Sequence, residues 1–331
     1  MYDAIVLGDS CQDVFLQIGE DDAKVVCELK KEECVISFNF ADKIPVTAKF
    51  DAVGGNAANA AVSLARLGLH TALYTHIGTD RTGDRVSGEL QENGIALEYV
   101  VREEGERTNY NTVLSYDGER TIFAFHHHRQ YQLPALAPAK WLYVTSMKDG
   151  FESIIPSIID YAAANNAKLV YQPGSLQLRL GLDVSRPLLK RTYMVVMNKE
   201  EAEHFLGISS DGHDERDLMK RLLAGLRELG PEVAIVTDGG NGSYAADSSG
   251  AVHLPVIDHI LRVDTTGAGD AYTSASAAAL AQGLPLAEAL RWGQMQAASV
   301  VQHVGAQAGL LHTSELELWL RDHPEIHTQT L

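Results

Sequence analysis

Cysteine is scarce in this chain: three among 331 residues, Cys11, Cys27 and Cys34, an odd number with no Cys-x-x-Cys spacing. Neither a disulfide framework nor a zinc site is expected, and reduced thiols are the plain reading. Positive charge is also short, with 27 Lys and Arg against 44 Asp and Glu and a formal net charge of −17. Such a field repels DNA, RNA and anionic membrane surfaces, whereas a small anion can still be held by helix-start amides and a divalent ion. No apolar run reaches the roughly eighteen residues a membrane span needs. Tyr2 to Gly8 opens as a strand with no basic region before it and no small-residue cleavage site after it, so a cytoplasmic location is expected. Gly-x-Gly-x-x-Gly after the first strand and Gly-x-x-x-x-Gly-Lys are both missing, which removes the main support for a dinucleotide oxidoreductase or a P-loop ATPase.

What is present is 45% apolar residues, enough to bury a large core. Residues 13–50 read as short, partly alternating β segments (Val14 to Ile18, Lys24 to Leu29, Cys34 to Phe40, Val46 to Phe50), and 96–125 as a second strand-rich stretch. Together they predict a small antiparallel sheet. Asn56 to Leu67 is an alanine-rich helix closed by Gly68. From Trp141 onward, strands near 141–145, 168–172, 193–197 and 233–237 alternate with helices, which predicts a parallel sheet covered on both faces. Long helices are expected from Gly269 to Gln282 and from Leu286 to His303, and a frayed tail over 326–331. The fold expected is a doubly wound, mostly parallel α/β core (1–12, 51–95, 126–331) with a β-sheet lid (13–50, 96–125).

Asp264-Thr-Thr-Gly-Ala-Gly-Asp270 lies between a strand-like segment ending near Val263 and a helix start. Gly267 and Gly269 let the backbone turn sharply, and the first amides of the helix lack partners within it, so the turn suits anionic oxygen. A carboxylate at the head of such a cradle is awkward unless it acts where phosphate arrives, as a general base beside an acceptor hydroxyl. An ordinary helix cap on a glycine turn is the alternative, and this string alone leaves both open. In Gly54-Gly55-Asn56-Ala57-Ala58-Asn59, bare backbone and amide side chains suit a polyhydroxylated ligand, or simply a tight turn before a core helix.

The Asp264–Asp270 string resembles, residue for residue, the signature of the ribokinase-like (PfkB) carbohydrate kinases. That resemblance makes Asp270 the catalytic base and the backbone of Gly267, Ala268 and Gly269 the anion hole. It assigns Gly54, Gly55, Asn59 and Asp13 to the acceptor. Asn198-Lys-Glu-Glu201 is similar to the family's Asn-x-x-Glu motif, which places Glu201 near Mg2+ through water and Asn198 near the nucleotide; a capping box accounts equally well for the spacing. Thr237, Gly239 and Gly242 match the nucleotide loop, with Thr265 also assigned to ATP and Val256 to Arg262 passing beside adenine. Ile77 to Gly83 matches a structural turn. Gly305-Ala306-Gln307 resembles the closing segment that holds a monovalent cation such as K+ in some members, with Asp264 a further candidate.

The expectation is therefore ATP-dependent transfer of a phosphoryl group to a sugar hydroxyl. A nucleoside acceptor would need an aromatic wall, for which Phe38, Phe40, Phe123 and Phe125 are candidates. A non-catalytic sugar-binding regulator is the reading from another class, disfavoured because the base and anion loop are intact. Gly8-Asp9-Ser10 resembles the start of a serine esterase, but Asp322-His323 and His327 have the wrong spacing for its triad. His126 to His128 are read as a lid edge or subunit contact rather than a metal site, and Arg129 as a solvated charge or an anion contact. A homodimer through the lid would cover exposed strand edges.

Overall fold

The computed structural model describes residues 1–19, 21–28, 33–116, 119–209, 212 and 214–331. In chain order these form β1 (Tyr2–Leu7), β2 (Cys11–Ile18), β3 (Lys24–Glu28), β4 (Glu33–Ser37), β5 (Val46–Gly54), α1 (Asn56–Arg66), β6 (Thr71–Gly78), α2 (Arg81–Glu92), β7 (Val100–Glu103), β8 (Asn109–Tyr116) and β9 (Glu119–Phe125). There follow β10 (Ala139–Val144), α3 (Phe151–Ala164), β11 (Lys168–Tyr171), α4 (Ser175–Leu180), α5 (Leu182–Leu189), β12 (Thr192–Asn198), α6 (Lys199–Leu206) and α7 (Glu215–Glu228). The last elements are β13 (Val233–Thr237), β14 (Ser243–Asp247), β15 (Gly250–Leu254), α8 (Ala268–Ala281), α9 (Leu286–Val300), α10 (Thr313–Asp322) and β16 (Gln329–Thr330).

A ten-stranded sheet runs β16-β15-β14-β13-β12-β11-β10-β1-β6-β7, parallel from β13 to β7 and antiparallel at its β13–β16 end. Alternation explains why its central strands are apolar on both faces. In β1, Ala4 and Val6 join the core under α1, α8 and α9, while Ile5 and Leu7 join the core under α3, α6 and α7. The parallel strands end together near the β1, β11, β12 and β13 loops, the edge at which ligands sit in open α/β sheets.

The small sheet is four-stranded, in the order β5-β2-β8-β9. It is not wholly antiparallel: β2 and β8 pair in parallel, because the chain leaves and returns through the large sheet between them. β3 and β4 form a separate hairpin, and the expected strand end at Leu29 lies outside the described residues. Residues 100–103 do not join the small sheet either. The β6–α2–β7 crossover returns the chain parallel to β6, as strand–helix–strand units do.

The register of the β3–β4 hairpin sets Cys27 opposite Cys34, and the two form a disulfide, contrary to the expectation of reduced thiols. The odd count arises because Cys11 is buried apart, at the base of the small sheet. The tail is ordered rather than frayed: Ile326 is buried, β16 pairs with β15, and the Leu331 amide donates to the Ala251 carbonyl (3.0 Å). Helix α10, absent from the sequence reading, packs Leu316 into the core. Among the described residues no helix is long and apolar enough to cross a membrane.

Candidate active site

The Asp264–Asp270 segment follows a loop, not the strand anticipated before it. Residues 255–267 pair with no sheet, and the Val263 and Asp264 amides donate to the Val301 carbonyl at the end of α9 (2.7 and 3.2 Å). Asp264 Oδ1 then folds the turn by accepting from the Thr266 amide (2.9 Å) and hydroxyl (2.7 Å), and Oδ2 accepts from the Gly305 amide (2.9 Å). Gly267 caps α8 at φ +78°, where a Cβ would lie 2.3 Å from that of Ala306. The Gly305–Ala306 segment and the glycine turn are therefore pressed together as one unit.

α8 is built of small residues and buried along most of its length between α1 and α9, which draws its first turn into the interior. Asp270 is consequently buried, yet its carboxylate is fully addressed by amides. Oδ1 accepts from Asn56 (2.9 Å) and Gln172 (3.0 Å), and Oδ2 from Asn59 (2.8 Å). Gln172 is itself oriented by the Tyr143 hydroxyl, and Asn59 by Gln307 Nε2 (3.0 Å). Burial pushes Asp270 up to about 6; the three amides oppose that shift, and the charge of Glu201 adds to it.

A cleft of about 670 Å3 opens in front of this carboxylate, lined by Asn56, Gln172, Asn198, Glu201, Thr237, Gly239, Thr265, Gly267, Gly269 and Asp270 among others. Asn198 and Glu201 form the reciprocal cap of α6 (Glu201 amide to Asn198 Oδ1, 2.8 Å; Asn198 amide to Glu201 Oε2, 2.9 Å), so the capping box and the cleft wall are the same residues. A narrower slot of about 200 Å3 shares Thr237, Gly239, Thr265 and Gly269 with the cleft. Its walls are Val256, Ile257, Ile260, Ala297 and Val301, together with Gly242, where a Cβ would meet the Leu254 carbonyl at 2.1 Å.

Asp13 lies on β2 at the other end of the site. Its Oδ1 accepts from Asn111 Nδ2 (2.8 Å), directly opposite on β8, and from the Cys11 thiol (3.1 Å). Burial raises its pKa, the two donors counter this, and Asp264 adds to it. A side chain at Gly54 would put its Cβ 2.0 Å from Asp13 Oδ2, and one at Gly55 (φ +93°) would meet the Asp9 carbonyl at 2.5 Å. The double glycine thus lets Asp13 and the start of α1, with Asn56 and Asn59, share one wall.

The match to protein-family models covers residues 37–313 and falls on the pfkB family carbohydrate kinases. The chain belongs to that family. Its members are phosphotransferases acting on hydroxyl groups. Among curated proteins, ribokinase of Bacillus subtilis is 25% identical over 80% of this chain and 86% of its own length, and pseudouridine kinase of Escherichia coli is 26% identical over 78% and 82%. Among solved structures, Arabidopsis thaliana ribokinase complexed with ribose and ATP superposes with a TM-score of 0.77 at 21% identity, covering 97% of this chain and 99% of its own; this likeness shows the ribokinase fold.

Three residues of the site escaped the sequence reading. Arg120 on β9 reaches from the small sheet to the Thr265 hydroxyl and pairs with Asp264 (3.5 Å). Strand alternation puts Ile122 and Ala124 on its face and turns Phe123 and Phe125 to the other, where both are more than half exposed. The proposed aromatic wall is therefore not on the cleft side of β9, and Phe40 is fully exposed. Gln172 had a usable signal, as a polar residue just past a buried parallel strand. Asn56 belongs to the double-glycine string, where nothing local gives its side chain a role. Arg129 is neither solvated nor free to meet a substrate anion: it is 1% exposed, paired with Glu103, and donates to the Arg107 carbonyl (2.6 Å). His127 pairs with Glu106 at 3.2 Å.

Proposed function

We propose that this member of the family transfers the γ-phosphate of ATP to a hydroxyl of a neutral sugar. The carrying observation is the Asp270 carboxylate, held by three amides at the mouth of α8 between the apolar slot and the end of the site that contains Asp13. A planar base fits the slot, the triphosphate then runs along Thr237, Gly239 and the Gly267–Asp270 amides, and the acceptor lies on Asp13, Gly54, Gly55 and Asn59. Asp270 takes the hydroxyl proton as the oxygen attacks, and the helix-start amides receive the charge that spreads over the migrating group. The ribose and ATP of the Arabidopsis ribokinase structure support both halves of the reading.

Among the described residues no three His, Cys, Asp or Glu side chains are grouped as metal ligands. Glu201 and Asn198 on the cleft wall suit a hydrated Mg2+ carried on the nucleotide, held through its waters, where it would neutralise phosphate charge. For K+, both oxygens of Asp264 already accept from protein donors, and the Gln307 carbonyl accepts from Arg66 (3.0 Å) and from the Leu310 amide (3.2 Å), so the Gly305 and Ala306 carbonyls are the remaining candidates.

Arg120 closes the lid over the cradle in this arrangement. Arg120→Ala is expected to lower kcat/KM about tenfold to a hundredfold through loss of a charge-assisted contact, with a melting temperature within a few degrees of wild type. Unchanged kinetics would place the guanidinium outside the reaction. The overall reading is tested by coupled ADP-release assays over D-ribose, D-fructose, D-gluconate, uridine and adenosine. Sugar-dependent ADP formation is expected, and silence across the panel would sink it. A nucleoside acceptor, which the pseudouridine kinase similarity raises, predicts turnover with uridine or adenosine instead.

A further inference from the structure

Around the β1–β2 loop and the adjoining end of the small sheet, the fold leaves a set of buried polar atoms that no protein group satisfies. Asp9 is 6% exposed; its Oδ1 accepts from the Tyr131 hydroxyl (3.1 Å), and its Oδ2 is buried and bare. Ser10 and Thr145 are fully buried with unpartnered hydroxyls. Asn111 gives its amide N–H groups to Asp13 and Cys11 and keeps Oδ1 bare, and Nδ1 of His126 is likewise without a partner.

These atoms lie on adjoining segments. The Asp9 amide donates to the Ser146 carbonyl (2.8 Å) and the Thr145 amide to the Leu7 carbonyl (3.0 Å), which joins the β1–β2 loop to the end of β10. The His127 amide donates to Asn109 Oδ1 (3.1 Å), opposite Cys11, which brings His126 to the same end of the small sheet. The charge of Lys148 acts on Asp9, Cys11 and His126 alike. The Asp9 carbonyl accepts from the Ala57 amide (3.2 Å) against Gly55, in the same first turn of α1 as the Asn56 and Asn59 that hold Asp270.

Buried polar groups are almost always paired, and a bare carboxylate oxygen is the costliest exception, so this cluster calls for an occupant that donates hydrogen bonds. Asp9 Oδ2 and Asn111 Oδ1 only accept, while the two hydroxyls serve either way. His126 is held near 4 by burial and by the charges of Lys148 and Arg129, so it adds no positive charge at neutral pH. Glu103 neutralises Arg129 and Lys148 offsets one carboxylate; burial pushes Asp9 up to about 6 and raises Asp13 as well, so the cluster turns negative as both carboxylates ionise.

Granted the kinase reading of the neighbouring cleft, we infer that Asp9 is a second specificity-determining carboxylate, which takes hydroxyl donors at the end of a neutral sugar remote from the phosphorylated oxygen and rejects sugar acids and sugar phosphates. In the full chain, Asp9→Asn is expected to raise KM for D-ribose or D-fructose, whichever is the better substrate, about tenfold to a hundredfold, with kcat and KM for ATP within about threefold. Wild type should prefer that sugar to D-gluconate and D-fructose 6-phosphate by at least about tenfold in kcat/KM, and the variant should narrow the gap. An unchanged sugar KM, an equal rise in KM for ATP, or a preference for the acidic acceptors overturns the assignment. If Asp9→Asn shows no cooperative melt, Tyr131→Phe addresses the same carboxylate: a smaller rise in sugar KM supports the role, and none overturns it. Melting shifts with sugar and no ATP separate this from failure of the kinase reading. With no turnover in wild type, a sugar-dependent shift that Asp9→Asn abolishes leaves Asp9 standing and removes the kinase. A shift that survives the substitution, or no shift with any neutral sugar, removes Asp9.

Discussion

Asp270→Asn is expected to lose on the order of a hundredfold or more in turnover while ATP affinity stays within a few-fold of wild type. The carboxylate receives three amide N–H groups, from Asn56, Gln172 and Asn59. An asparagine has one acceptor oxygen and turns its own N–H2 toward donors, so it would lose both the proposed base and part of the geometry, whereas the apolar slot proposed for the nucleotide, walled by other residues, is left alone. The pH profile carries a second signature. Burial places Asp270 at about 6, so the group is mostly protonated at pH 5 and mostly ionised at pH 7, and kcat should rise with pH to a plateau with a midpoint near 6. Near-normal turnover in the variant, or a wild-type acidic limb centred near 4, would remove Asp270 as the base.

Gly267→Ala should be almost as damaging, for a reason that lies in the backbone. Gly267 has φ +78°, and its new Cβ would stand 2.3 Å from Ala306 Cβ and 2.8 Å from Ala306 Cα. An alanine in the left-handed region costs about 1 kcal/mol, and no rotamer can relieve a clash with a neighbouring main chain. Either the Gly305–Ala306 segment or the turn has to move, and the amides at the head of α8 then aim elsewhere. Losing one well-aimed donor to developing negative charge is worth roughly a hundredfold to a thousandfold, so a fall of at least about a hundredfold in kcat is expected, with a melting temperature lower by about 2–4 °C. Gly94→Ala is the control. It shares the left-handed conformation (φ +75°) but has nothing within 4 Å, so it should lose stability alone. Equal activity losses in the two variants, or full activity in Gly267→Ala, would show that the turn does not depend on its glycine.

Much of the site was legible where short strings carry their own geometry. The glycine turn at 267–269, the double glycine at 54–55, the Asn198–Glu201 cap and the Thr237–Gly242 loop all face one cleft or its adjoining slot and wall. Arg120 was not legible, because nothing local distinguishes it from a solvated lid charge; only the register of β9 on β8 turns it to Thr265. The Cys27–Cys34 bond was missed for a similar reason, since spacing says little until a hairpin register sets two cysteines opposite. β7 and β16 are short strands whose place depends on a crossover and on a neighbouring edge rather than on their own residues.

Alone, then, the order of residues determined the features that follow from interactions within a few positions: strand and helix periodicity, glycine turns, caps, and the helix-start cradle at 268–270. Tertiary structure decided which distant groups meet. Asn56, Gln172 and Asp270 are separated by 98 to 214 positions yet share one carboxylate, and its burial, hence its pKa, exists only once α1, α8 and α9 have packed. Hydrogen-bond partners and desolvation are set by what surrounds a group in space, and sheet order and register, not local sequence, supply those surroundings.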